Sequence, residues 1–174
     1  RLFIINMMHP FFQHFHTTII VIFLFYCMPK ALPLSNTLNS KEEVIQKAFE
    51  FFSKGDEVSL DKLLLTREEH NTNFWNHVGE RFTSDPGMTA DLAFEHMNIE
   101  TYYAKQQLFH DLKDKSLSVK SIACNRMEKY GPFKLHLGCK ILAINPAGNG
   151  IEISGIRTVI ELDGKYKLYH LKRE

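Results

Sequence analysis

The sequence predicts an α+β fold, with helices in its first two thirds and an antiparallel sheet in its last third. Three observations lead there. Apolar residues recur at spacings of three and four between Val44 and Leu112, the period of a helix that buries one stripe. Ser40 with Glu43, and Thr66 with Glu69, form two capping boxes, in which hydroxyl and carboxylate satisfy exposed backbone donors at a helix start. After Lys115 the period becomes two, and Asp163-Gly164 supplies a two-residue hairpin turn. Segregated helices and strands of this kind stack as separate layers.

The elements follow in order. From Lys41 to Lys54 the chain presents Val44, Ile45, Ala48, Phe49, Phe51 and Phe52, and Gly55 ends the helix as the residue that best tolerates a left-handed cap. A short helix carries Leu60, Leu63 and Leu64. The Thr66 box opens a helix bearing Phe74, Trp75, Val78 and Phe82, and Thr83-Ser84-Asp85-Pro86-Gly87 breaks it. Thr89 caps a longer helix to about Leu112, with Ala93, Met97, Ala104, Leu108 and Leu112 on one stripe. Four strands are expected: Leu117 to Tyr130, Phe133 to about Ala143, Ile151 to Leu162, and Lys165 to Leu171. The third changes phase around Gly155, where a β-bulge is expected to bend it.

A chain of 174 residues is long enough to bury one ordinary core. Its 21 Lys and Arg against 20 Asp and Glu call for no nucleic-acid partner and no anionic surface. Residues 1–40 hold Arg1 and Lys30 as their sole charges, and Ile19 to Met28 is continuously apolar. That run matches a signal-peptide core and falls short of the ~20 residues a membrane span needs. Residues 1–34 are therefore read as a signal peptide or membrane anchor, 35–40 as a linker, and 41–174 as one domain. The leader has three possible fates: lipidation at Cys27, cleavage near Ala31 or in the Pro33–Ser40 stretch, or retention as an anchor. Each places the domain outside the cytosol, in the periplasm, the cell envelope or the medium.

Gly131 and Pro132 read as the whole loop between the first two strands. Counting outward from it sets Cys124 opposite Cys139, so the pair forms either a disulfide, suited to an exported protein, or two small buried apolar side chains. The same register sets Arg126 opposite Leu137 and Glu128 opposite Leu135. These two charged residues either line a cavity or form an exposed strand face.

The helix running into Lys54-Gly55-Asp56, the leucine-rich turn Leu60 to Thr66 and the closing Asp163-Gly164-Lys165-Tyr166-Lys167-Leu168 together resemble the cystatin-like cone fold. That is the fold of nuclear-transport-factor-2-like and ketosteroid-isomerase-like proteins, and small bacterial exported proteins and lipoproteins share it. The resemblance spans about residues 40 to 172. It implies a bent sheet wrapped around helices, a cone-shaped cavity, and an outer sheet face that often dimerises. A sheet apolar on both faces must cover both, so helices on one side and a second copy on the other are expected. An isomerase-like site would need a carboxylate base and Tyr donors in an apolar pocket, and no position matches such a motif.

Arg126, Glu128, Arg157, Tyr166 and His170 are the candidate cavity residues. His70 and His77 share a helix face but lie ~10 Å apart at ~1.5 Å per residue, too far to bind one metal. The six histidines outside the leader are expected at the surface. No catalytic, metal or cofactor motif stands out. The expected function is a non-catalytic binding or interaction module for a small apolar ligand or a protein partner. The alternative is a cone-fold enzyme performing isomerase- or dehydratase-like acid–base chemistry.

Overall fold

The computed structural model describes residues 31–78 and 87–173. The apolar leader, Cys27 and Phe82 lie outside the described residues. The chain divides into two units, Arg1–Ala31 and Leu32–Glu174. The second unit is α+β: among the described residues, four α-helices and one π-helical turn precede a five-stranded antiparallel sheet. Among the described residues no helix is long and apolar enough to cross a membrane.

Helix α1 (Lys41–Lys54) starts where Ser40 Oγ accepts a hydrogen bond from Glu43 N at 3.0 Å, while Glu43 reaches back to Asn39 N at 2.9 Å. It ends at Gly55, whose φ of +71° is open to glycine without strain. Asp56 caps α2 (Glu57–Leu63) through Ser59 N. The Thr66–Glu69 box closes reciprocally, with Glu69 N donating to Thr66 Oγ1 and Thr66 N donating to Glu69 Oε2. The helix it opens is α-helical at Arg67 and Glu68 and then changes. A π-turn, Glu69–Phe74, widens the coil before α3 (Trp75–Val78) resumes the α-helical repeat. Thr89 caps α4 (Ala90–Leu112), which buries Phe94, Thr101, Ala104, Leu108 and Leu112. Phe94 and Thr101 thus hold the buried positions expected of Ala93 and Met97.

The strands are β1 (Ser118–Tyr130), β2 (Phe133–Ile144), β3 (Gly150–Ile153), β4 (Ile156–Leu162) and β5 (Lys165–Leu171). The expected third strand is two strands, which corrects the count from four to five. Both pair with β2: β3 with its end at Ile141–Ile144, β4 with its start at Phe133–His136. From Ile141 to Leu135 β2 takes six steps (141 − 135), whereas their partners Ile153 and Ile160 stand seven apart (160 − 153). One extra residue therefore lies around Gly155, and it parts the strand rather than merely bending it. A Cβ at Gly155 would meet three Leu108 side-chain atoms at 3.0–3.2 Å, so α4 packs on the break only because no side chain stands there.

Asp163 and Gly164, both at positive φ, make the β4–β5 turn, as the favoured two-residue hairpin requires. The β1–β2 loop is Gly131-Pro132, and Cys124 faces Cys139 in register and is joined to it by a disulfide.

The segment 35–40, expected as a linker, is docked on the domain. Leu38 exchanges both backbone hydrogen bonds with Tyr166 at 2.9 and 3.0 Å, adding a short bridge along β5. Leu34 is buried, and Asn73 receives Leu32 N at 3.0 Å while donating to Leu32 O. The compact unit therefore begins at Leu32, before the expected boundary.

Successive residues of a strand point to opposite sides, and β5 serves two different clusters in this way. Leu168, with its β4 partner Val159, joins an aliphatic core made with Val44, Ile45, Ala48 and Phe52 of α1 and with Leu108 and Leu112 of α4. Tyr169 instead meets Phe74, whose ring also contacts Tyr130 and Phe133. Every residue of β4 except Arg157 is buried.

Candidate functional site

The five expected cavity residues are not gathered into one cavity. Arg126 is exposed on β1, pairs with Glu128 at 3.3 Å, and Glu128 accepts from Tyr130 Oη at 2.5 Å. Arg157 is exposed on β4. Tyr166 lies by Glu161, whose carboxylate is held between Lys134 and His136 Nε2, the latter at 2.8 Å. Burial and the Glu161 charge raise the Tyr166 phenol. Burial raises Glu161 as well, but its bonds from Lys134 and His136 outweigh this and leave it below the usual carboxylate range.

His170 Nε2 sits 3.1 Å from Glu100 Oε2 without hydrogen-bond geometry. Burial lowers the His170 imidazole against the opposing pull of Glu100. None of the five lines either of two pockets in the domain.

The larger pocket, about 340 Å³, opens where the π-turn and α4 lie over the sheet. His70, Phe74, Trp75 and Val78 form one wall, Ala93 and His96 of α4 a second, and Tyr130, Leu135 and Tyr169 the floor. The other pocket, about 220 Å³, runs beside the Gly155 break and is lined by Leu108, Leu112 and Ile153, with Asp111, Lys115, Glu152 and Lys172 among its charged residues. It offers no buried histidine or aromatic ring, so the first is the candidate site.

The π-turn makes the first wall. In its wider coil His70, Asn73 and Phe74 all turn inward, and π-turns of this kind recur at functional sites. The expectation of surface histidines fails at His70, which is 2% exposed. Three rings surround it: Phe94 at 5.4 Å, Trp75 at 5.9 Å and Phe74 at 6.0 Å between centroids. Burial lowers its pKa, outweighing its bond to Asn71 and the charge of Asp91, so the ring is neutral near pH 7. The burial of Tyr169 raises its phenol, keeping it protonated.

A polar frame holds this wall from behind. His70 Nδ1 meets Asn71 Oδ1 at 2.7 Å, and Asn71 Nδ2 donates to Asp91 Oδ1 at 2.6 Å. Arg67 pairs with Asp91 at 3.1 Å and with Glu95, and its guanidinium lies 5.1 Å from the Phe94 ring centre. At the foot of the π-turn, Glu69 accepts Lys167 Nζ at 2.7 Å and both Ser35 N and Ser35 Oγ, so the wholly buried Lys167 is neutralised by the same carboxylate that closes the capping box. Burial raises Glu69, but these hydrogen bonds more than offset it and leave the carboxyl below its ordinary value.

Among the described residues no group of three or more His, Cys, Asp or Glu side chains is placed to hold a metal ion. No known protein family, curated protein or solved structure matches this chain. Sequence reasoning missed His70, Asn73 and Lys167. One signal was there: His70 stands four residues before Phe74 and eight before Val78, on the apolar stripe of the helix.

Proposed function

We propose that this protein is a non-catalytic binding module for a small apolar, aromatic ligand, held in the pocket between the π-turn, α4 and the sheet. The observation that carries this reading is the pocket itself: about 340 Å³, walled by Phe74, Trp75, Tyr130 and Tyr169, with one buried, oriented imidazole. Ligand sites of this size are mostly apolar with a few placed polar groups.

Trp75 is the sole tryptophan and lines the pocket, so occupancy has a built-in reporter. Energy transfer from Trp75 to N-phenyl-1-naphthylamine, a neutral fluorescent probe, is expected to saturate at one probe per chain. A lack of saturable transfer would contradict the reading.

The alternative, acid–base catalysis in the same pocket on a small apolar substrate, draws on the Asp91–Asn71–His70 chain, which holds a neutral imidazole as a general base is held. Exchange of a ligand's carbon-bound hydrogen with deuterated solvent, catalysed by the protein, would favour it. The cone-fold resemblance fits a pocket between helices and sheet. Export is supported by the Cys124–Cys139 disulfide and by the apolar run Ile19 to Met28. Both cysteines are expected to resist alkylation in intact cells, and free thiols there would count against export.

A further inference from the structure

We infer that the pocket selects ligands carrying a hydroxyl or N–H donor, a phenol-like aromatic rather than a pure hydrocarbon or ether, with Nε2 of His70, which lines the pocket, as the acceptor. The inference rests on the binding reading above and specifies the chemistry of the ligand.

Hydrogen-bond direction carries the argument. Asn71 Nδ2 donates to the Asp91 carboxylate at 2.6 Å, which can only accept. That fixes the amide, so Asn71 Oδ1 faces His70 Nδ1 at 2.7 Å as an acceptor. Nδ1 must then carry the proton, and in a neutral ring Nε2 is left with a lone pair. Asp91 is in turn paired with Arg67 at 3.1 Å. The surroundings of the ring are Phe74, Trp75 and Phe94, which supply no donor from their own rings except the Trp75 indole N–H.

A ligand donor meeting Nε2 in this apolar setting gains a hydrogen bond. A ligand without one leaves the imidazole lone pair desolvated, and a site built around a buried polar group discriminates in this way. Asp91, Glu95 and Arg67 belong to the frame, and among the described residues the pocket's other polar groups are His96, the Trp75 indole N–H and the hydroxyls of Tyr130 and Tyr169. Among the described residues no acidic side chain lines it.

The test uses the full chain and a matched pair, 4-propylphenol and 4-propylanisole, competing against N-phenyl-1-naphthylamine. The ether is the larger and more apolar of the two, so burial alone favours it. The phenol is nonetheless expected to displace the probe at about tenfold lower concentration, one hydrogen bond's worth. His70→Phe, with the probe's own affinity measured anew for the variant, is expected to abolish that preference. Should His70→Phe not fold, Asn71→Ala, at a half-buried position on the outer side of the ring, is expected to narrow the preference by freeing the tautomer.

Equal displacement by phenol and ether in the unmodified protein would overturn the inference and leave the binding reading standing. A preference that survives both substitutions would also overturn it, by assigning selection to another group. Absence of probe binding in the unmodified protein would remove the binding reading itself.

Discussion

The two sides of β4 and β5 meet different kinds of partner. On one, Val159 and Leu168 close against Val44, Ile45, Ala48 and Phe52 of α1, all nearly free of solvent. On the other, Lys167 and Tyr169 meet a π-turn that brings in Glu69, His70 and Phe74. Branched and aromatic hydrocarbon side chains interdigitate to native density without needing fixed partners. Histidine, asparagine and an ion pair demand particular partners at particular angles, and satisfying them leaves space unfilled. The first side is a packed core. The second is a framed pocket.

Truncation is the sharpest way to break this contrast. Phe52→Ala, in the closed core, is expected to destabilise by about 3–5 kcal/mol. Phe74→Ala, on the pocket wall, is expected to fall at or below the low end of that range, because its neighbours already border open volume. Chemical denaturation of both variants decides it, and equal costs would mean that the two sides pack alike.

The buried ion pair gives an effect of similar size by a different route. Glu69→Ala leaves Lys167, which has no exposure, without its counter-charge, at an expected cost of about 3–5 kcal/mol. Adding Lys167→Met is expected to recover most of that loss, since an apolar side chain of similar volume removes the stranded charge. A double variant no more stable than the single one would contradict this account of the strap and π-turn.

The same carboxylate carries a pH dependence. Its pKa in the folded protein lies below the unfolded value of about 4.3. The unfolded chain therefore takes up its proton first, so this contribution is complete above about pH 4.3 and is lost as pH falls through the folded pKa. The Glu69→Gln variant is expected to show a shallower decline over that interval, and parallel curves would show that Glu69 contributes nothing to it.

At the smallest end stands Arg126→Ala. Arg126 is exposed on β1 beside Glu128, and removing a solvated pair of this kind is expected to change stability by less than about 0.5 kcal/mol. Thermal unfolding measures that, and it supplies the baseline against which the other variants are read.

Legibility in the sequence divides along the same line. Ser40, Gly55 and Asp163-Gly164 act within a few residues of themselves, and each stands where its local chemistry requires. The two-residue loop at Gly131-Pro132 sets the register of a whole hairpin, so Cys124 meets Cys139 by counting. Lys167 reads as an exposed strand residue because its partner, Glu69, is 98 positions away. His70 reads as a surface residue because histidine is polar, although its place four residues before Phe74 and eight before Val78 puts it on the apolar face of the helix. The strap from Leu32 to Ser40 has the composition of a linker, yet its backbone bonds to Tyr166, Asn73 and Glu69 owe little to composition. Local signals were legible; contacts that depend on a distant polar partner were not.

Methyl-resolved NMR of the protein with and without 4-propylphenol tests the difference between the two sides most directly. The account predicts shifts at Val78, Ala93 and Leu135, which line the pocket, with Val44, Val159 and Leu168 unmoved. Shifts centred on those last three, or none at saturating ligand, would contradict it.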